Sequence, residues 1–149
     1  MTFDGDVLES QELDVKVEAR SAARLELDPR VGETKDTGNE LLVVAFSGEG
    51  PKRVIYDFAD VVDQRLDPDA LEIKVTPGDD GALIDLHAKS YVRDVFVLAD
   101  RADRSAVPDK GMLSMLAGEE VTIKVTASGP LPEDALLDPR VTRSSSQVF

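Results

Sequence analysis

Apolar and polar residues alternate through much of this chain. In Leu13-Asp14-Val15-Lys16-Val17-Glu18-Ala19-Arg20, the residues Leu13, Val15, Val17 and Ala19 fall on one face and the charged residues on the other. That period of two predicts a half-buried β-strand. Ala23–Asp28, Leu71–Thr76, Ala82–Ala88 and Val121–Thr126 repeat it. Leu41–Phe46 and Val95–Ala99 are continuously apolar, as expected of strands covered on both faces. Between these runs stand Asp28-Pro29, Gly48-Glu49-Gly50-Pro51, Asp67-Pro68, Pro77-Gly78-Asp79-Asp80-Gly81, Gly118 and Gly129-Pro130, all turn signals. Short strands punctuated this often predict an antiparallel sandwich or barrel.

One segment is ambiguous by pattern. Val54, Ile55, Phe58, Val61 and Val62 make a helical stripe over Val54–Arg65, while the β-branched and aromatic Val54-Ile55-Tyr56 favour a strand over 52–58 followed by an acidic loop. The end, Val141–Phe149, has no periodicity and is expected to be extended or frayed. Asp-Pro-Arg-Val occurs at Asp28–Val31 and again at Asp138–Val141. With no similarity around the two copies, chance explains the match better than an internal repeat.

Composition narrows the class. The chain has 149 residues, 17 Lys and Arg against 30 Asp and Glu, and a net charge of −13. The length suits one domain, and 42% hydrophobic residues are too many for a disordered acidic chain. A charge of this sign repels phosphate backbones, so no nucleic-acid partner is expected. No apolar run approaches a membrane span, and the acidic N-terminus is not a signal peptide. With no cysteine there is no disulfide or thiolate chemistry. A cytoplasmic domain without membrane or cofactor is the expectation.

The candidate chemistry is sparse. His87 is the one histidine and falls in phase with Asp85, so a solvated sheet-face role outweighs general-base catalysis. Asp79-Asp80-Gly81 invites a calcium reading, but turn chemistry accounts for it. Of the acidic clusters, the loop carrying Asp100, Asp103 and Asp109 is the better calcium candidate, through Asp100 and Asp103. Asn39-Glu40 has the order seen before the acid/base of retaining glycosidases, yet no second carboxylate is identifiable beside Glu40. Tyr56 and Tyr91 are the two tyrosines and there is no tryptophan, which is thin for stacking on sugars. Tyr91 is expected instead to pack at a sandwich corner with its hydroxyl donating to backbone. No catalytic, cofactor-binding or metal-ligating set emerges.

Two stretches carry a family resemblance. Ala88-Lys89-Ser90-Tyr91-Val92-Arg93-Asp94-Val95-Phe96-Val97-Leu98-Ala99-Asp100 and Met112–Val125 resemble the C-terminal immunoglobulin-like domain of bacterial β-mannosidases of glycoside hydrolase family 2. Phe3-Asp4-Gly5-Asp6-Val7-Leu8, the run Val15–Leu25 and the strand Leu41–Phe46 are similar to that domain in the same order, so the resemblance covers most of Phe3–Thr126. It implies an all-β, immunoglobulin-like antiparallel sandwich of about seven strands, without its first strand or strands. Residues 3–127 would form the core of a single domain spanning 1–149, and 128–149 an extended or frayed tail. It also implies the strand, not the helix, over 52–58.

The family's catalytic pair lies in a separate (β/α)-barrel, which nothing here resembles, so no catalytic residue carries over. The expectation is a non-catalytic accessory domain of a β-mannosidase-like hydrolase, packing on and supporting the barrel. An uncovered N-terminal strand edge would make a homodimer a further expectation. The alternatives are a stand-alone carbohydrate- or protein-binding module and a small enzyme in its own right.

Overall fold

A computed structural model describes residues 1–47 and 53–147. The turn expected at Gly48-Glu49-Gly50-Pro51, Lys52, and the final Val148-Phe149 lie outside the described residues. The chain divides into two compact units, one of Met1–Thr2 with Asp6–Gln64, the other of Phe3–Gly5 with Arg65–Phe149.

Among the described residues the second unit is an all-β, immunoglobulin-like antiparallel sandwich of seven strands. One sheet has four strands: β3 (Leu71–Gly78), β4 (Gly81–Ala88), β8 (Glu120–Thr126) and β6 (Val107–Pro108), in that order. The other has three: β7 (Met112–Met115), β5 (Val92–Val97) and β9 (Thr142–Arg143). Four strands facing three is the count of a constant-type immunoglobulin sandwich. The pairing order is its own, because the second strand of this unit pairs with the sixth and the third lies between the fifth and the seventh.

The expected alternation organises this core. Along β4, Ala82, Ile84, Leu86 and Ala88 are buried while Leu83 is exposed and Asp85 and His87 are half-buried. In register across the sheet, Ile84 stands between Val75 and Ile123, and Leu86 between Ile73 and Val121. Val75, Ile84, Leu86 and Ile123 join Val92, Val95, Val97 and Met115 of the other sheet in one buried cluster, with Ile73 and Val121 packed against it. Burying an Ile or Leu side chain contributes roughly 1.5–3 kcal/mol before chain entropy is counted. The tail expected to fray packs instead. A short helix (Glu133–Leu137) buries Leu136, Val141 is buried, and β9 pairs with β5.

Two backbone positions are specialised. The β3–β4 hairpin closes through Asp79 and Asp80, and Gly81 takes the positive φ, +130°. A Cβ there would lie 2.0 Å from the Val125 carbonyl oxygen on the neighbouring strand. In β5 the register against β7 shifts between Val92 and Val95, and Asp94 sits in this bulge at φ 50°. The Asp94 amide donates to Ser114 Oγ at 3.1 Å, and aspartate tolerates the left-handed region better than most residues.

In the first unit, β1 (Leu41–Ala45) pairs antiparallel with β2 (Arg53–Asp57). The strand reading of the ambiguous segment is therefore right. Its helical stripe dissolves because Val54 and Ile55 pair with Val44 and Val43, and only Val61–Asp63 makes a 3-10 turn. β1 is not covered on both faces, since Val44 and the adjoining Phe46 are exposed.

The two runs Leu13–Arg20 and Ala23–Asp28 form no strand. The chain reverses between them, with the Ser21 amide donating to the Glu18 carbonyl at 3.1 Å and Arg20 at φ 61°. No ladder forms between the two arms, and Leu13 and Val15 of one line the same cavity as Leu25 and Leu27 of the other.

Gly81→Ala is expected to destabilise the second unit by at least about 3 kcal/mol, since the β4–β8 ladder must separate to admit the methyl group. Equilibrium denaturation reads this, and a loss under about 1 kcal/mol would contradict the geometry. The Thr142 hydroxyl is buried with no hydrogen-bond partner among the described residues. Thr142→Val is expected to raise stability by about 1 kcal/mol; a drop in melting temperature would contradict this.

Candidate functional site

The outward face of the four-stranded sheet gathers the titratable residues of the alternating strands. His87 stands between Glu72 and Glu120 in register, and Asp85 between Lys74 and Thr122. His87 Nδ1 lies 3.2 Å from Glu72 Oε2, with Lys89 Nζ 3.9 Å from the other oxygen of that carboxylate. Thr122 Oγ1 donates to Asp85 Oδ1 at 2.6 Å. These are cross-strand pairs on an open, solvated surface, each supporting the sheet modestly. His87 stands on the sheet face, the position expected of it.

The acidic loop is tied down by its own turns. Asp100 lies in a 3-10 turn, Ala99–Arg101. Asp103 Oδ1 accepts from the Ser105 amide at 2.7 Å and from Ser105 Oγ at 2.6 Å. Those bonds, the hydroxyl's first, hold its carboxyl below the ordinary range. Asp109 Oδ1 accepts from the Lys124 amide at 3.0 Å. The structure does not bring Asp100, Asp103 and Asp109 into a common ligand set, and no group of three potential metal-ligating side chains occurs among the described residues.

Glu40, bridged to Thr2, likewise has its carboxylate engaged locally. Its Oε2 accepts from Thr34 Oγ1 at 2.6 Å and from the Lys35 amide at 3.1 Å, and its carboxyl is held below the ordinary range chiefly by the Thr34 bond. Tyr91 is buried, its ring centroid 5.1 Å from that of Phe3 and its amide donating to the Phe3 carbonyl at 2.7 Å. It serves packing, as expected. Tyr56 is 58% exposed and meets Phe58 edge to face at 5.4 Å.

An exposed apolar surface belongs to the first unit. Val7, Leu8, Leu13, Val15, Leu25 and Leu27 flank a cavity of about 330 Å³ whose other wall is β1 with Phe46 and Phe58. Each of those six side chains is at least two-fifths exposed. In the sequence Leu13, Val15, Leu25 and Leu27 show as alternating strand runs, whereas Val7 and Leu8 follow no such pattern.

The Asp-Pro-Arg-Val copies fold alike, which the sequence reading did not anticipate. In each, the aspartate Oδ1 accepts from the arginine amide, at 2.9 Å for Asp28 and 2.8 Å for Asp138. The guanidinium then clasps the same carboxylate. In each the valine amide donates back to the aspartate carbonyl, at 2.8 and 2.7 Å. Proline presets the turn and the arginine returns onto the aspartate, so four residues determine the motif without any common ancestry of their surroundings. The arginine bonds hold both carboxyls well down, to about 2.

Compared with known proteins, the chain matches no family model and no curated protein. No helix among the described residues is long and apolar enough to cross a membrane.

The clasped aspartates predict a titration. Their folded pKa lies below the unfolded value of about 3.9, so their contribution to stability is complete above that pH and is lost as the pH falls towards 2. Carboxyl NMR should give midpoints near 2 for Asp28 and Asp138, and Arg30→Ala and Arg140→Ala should return their respective partner towards the ordinary value. Ordinary midpoints in the unaltered protein would refute the clasp.

Proposed function

We propose that this chain is a non-catalytic accessory module of a β-mannosidase-like glycoside hydrolase, acting by contact with the catalytic barrel. The observation that carries the reading is the exposed apolar surface of the first unit, since contiguous apolar patches of this kind mark partner contacts. The motif order from Phe3 to Thr126 supplies the kind of partner. The carboxylates of the sheet face and the acidic loop support a non-catalytic role, being engaged in cross-strand pairs and turns. The reading takes the module to be cytoplasmic, in keeping with a chain that has no cysteine.

A second reading, a stand-alone carbohydrate-binding module, draws on Tyr56, whose ring is open to solvent beside Phe58. Flat stacking on a sugar would use that ring.

The test is co-purification with a family 2 barrel encoded in or beside the same reading frame. The chain alone should not hydrolyse a nitrophenyl β-mannoside. It should capture the barrel, and Leu25→Asp or Phe46→Asp should weaken capture by at least about tenfold, the loss expected from charging a desolvated contact. Turnover by the chain alone would overturn the reading. So would glycan binding lost in Tyr56→Ala with no barrel capture, which would establish the second one.

A further inference from the structure

The run Leu13–Arg20 is a strand sequence that has no strand partner among the described residues. Its apolar row is exposed, Val17 by 48%, and its polar row alternates in sign: Asp14, Lys16, Glu18, Arg20. The arm that follows the reversal at Glu18–Ser21 forms no ladder with it. We propose that the partner is a second copy of this chain, the two runs pairing antiparallel about Val17.

The choice of a second copy rests on charge. In an antiparallel pair centred on Val17, Asp14 opposes Arg20 and Lys16 opposes Glu18, each pair occurring on both sides of the axis. Val15 meets Ala19, and Val17 meets its own copy. Neighbouring in-phase registers fail. Centring on Lys16 sets it against itself and Asp14 against Glu18; centring on Glu18 sets it against itself and Lys16 against Arg20. Centring on Val15 opposes Glu12 to Glu18. Out-of-phase registers set apolar residues against charged ones. Like charges directly opposed across strands are unfavourable and unlike charges favourable, and only the Val17-centred register sets all four of Asp14, Lys16, Glu18 and Arg20 against opposite charge; centring on Ala19 leaves Lys16 opposite Ala22.

The rearrangement asked of each chain is the opening of one reversal. It is held by the Ser21 amide and hydroxyl on the Glu18 carbonyl, and the Asp28 amide donates to Gln11 Oε1 between its arms. It keeps Arg20 at φ 61°, a region that costs a non-glycine residue about 1 kcal/mol or more and that an extended Arg20 leaves. The paired ladder supplies new backbone hydrogen bonds in place of those lost. The lysine and glutamate side chains that would pair are 90% and 79% exposed, within 3.6 Å of each other along one chain, and available. Leu13 and Val15 also line the apolar cavity whose contact is probed at Leu25 and Phe46, whereas Lys16 and Glu18 lie outside that lining and read the self-association alone.

The test is sedimentation equilibrium of the full chain over a concentration series into the high micromolar range. The unaltered protein should dimerise, more weakly at high salt because exposed pairs are screened. Lys16→Glu and Glu18→Lys each create like-charge oppositions and should each weaken the dimer at least about tenfold. The double swap K16E/E18K restores opposite signs and should restore the dimer. An equimolar mixture of the two single variants should form a heterodimer, since one then carries two glutamates and the other two lysines. Both positions are exposed, and unchanged melting curves would confirm that the variants fold. A monomer throughout the series would overturn the proposal. Single variants that dimerise as well as the parent, or a mixture that does not associate, would overturn it equally.

Discussion

The structure depends on β4 being paired on both edges while it fills the sandwich with one face. Its backbone is bonded to β3 on one side and β8 on the other, so its register cannot slip without breaking two ladders. A slip of one residue would exchange Ile84 and Leu86 for Asp85 and His87 in the core, burying charge where a hydrocarbon now packs. The facing sheet then has a defined apolar surface to close on, through Val92, Val95, Val97 and Met115. The bulge at Asp94 lets β5 bend while Val92 and Val95 both remain buried.

The first unit lacks such a strand. Its β1–β2 pair is a two-stranded ladder, an arrangement of marginal stability in isolation. The runs Leu13–Arg20 and Ala23–Asp28 alternate as clearly as β4 but form no ladder, and Leu13, Val15, Val17, Leu25 and Leu27 stay exposed. That is why both the accessory reading and the self-association are drawn from this unit, while the charged face of the sandwich is read as solvated pairs.

Much of the sandwich was legible because period-two alternation reports burial directly. Leu71–Thr76, Ala82–Ala88 and Val121–Thr126 became β3, β4 and β8, and the Pro-Gly-Asp-Asp-Gly run became the hairpin turn between two of them. Leu13–Arg20 shows the limit of that signal. Alternation says that a segment could pair, and the partner is decided by phase relative to another segment, which pattern alone does not reveal. The tail was illegible because its order comes from contacts distant in sequence: β9 pairs with β5, and Leu136 is buried. The candidate carboxylates were visible as acidic residues, but whether Asp103 or Glu40 faced a ligand or its own turn depended on Ser105 and Thr34, whose hydroxyls reach back onto them. The paired Asp-Pro-Arg-Val turns were in plain view as a repeat; their meaning was local geometry.

Native-state hydrogen exchange tests the central claim most directly. If β4 is the doubly paired strand that organises the sandwich, the bonded amides of β4 and β8 should exchange last, only through global opening, while those of Leu13–Ala19 in dilute monomer exchange near the rate of an unstructured peptide. Protection of Leu13–Ala19 in monomer equal to that of β4, or early exchange of the β4–β8 ladder, would contradict it.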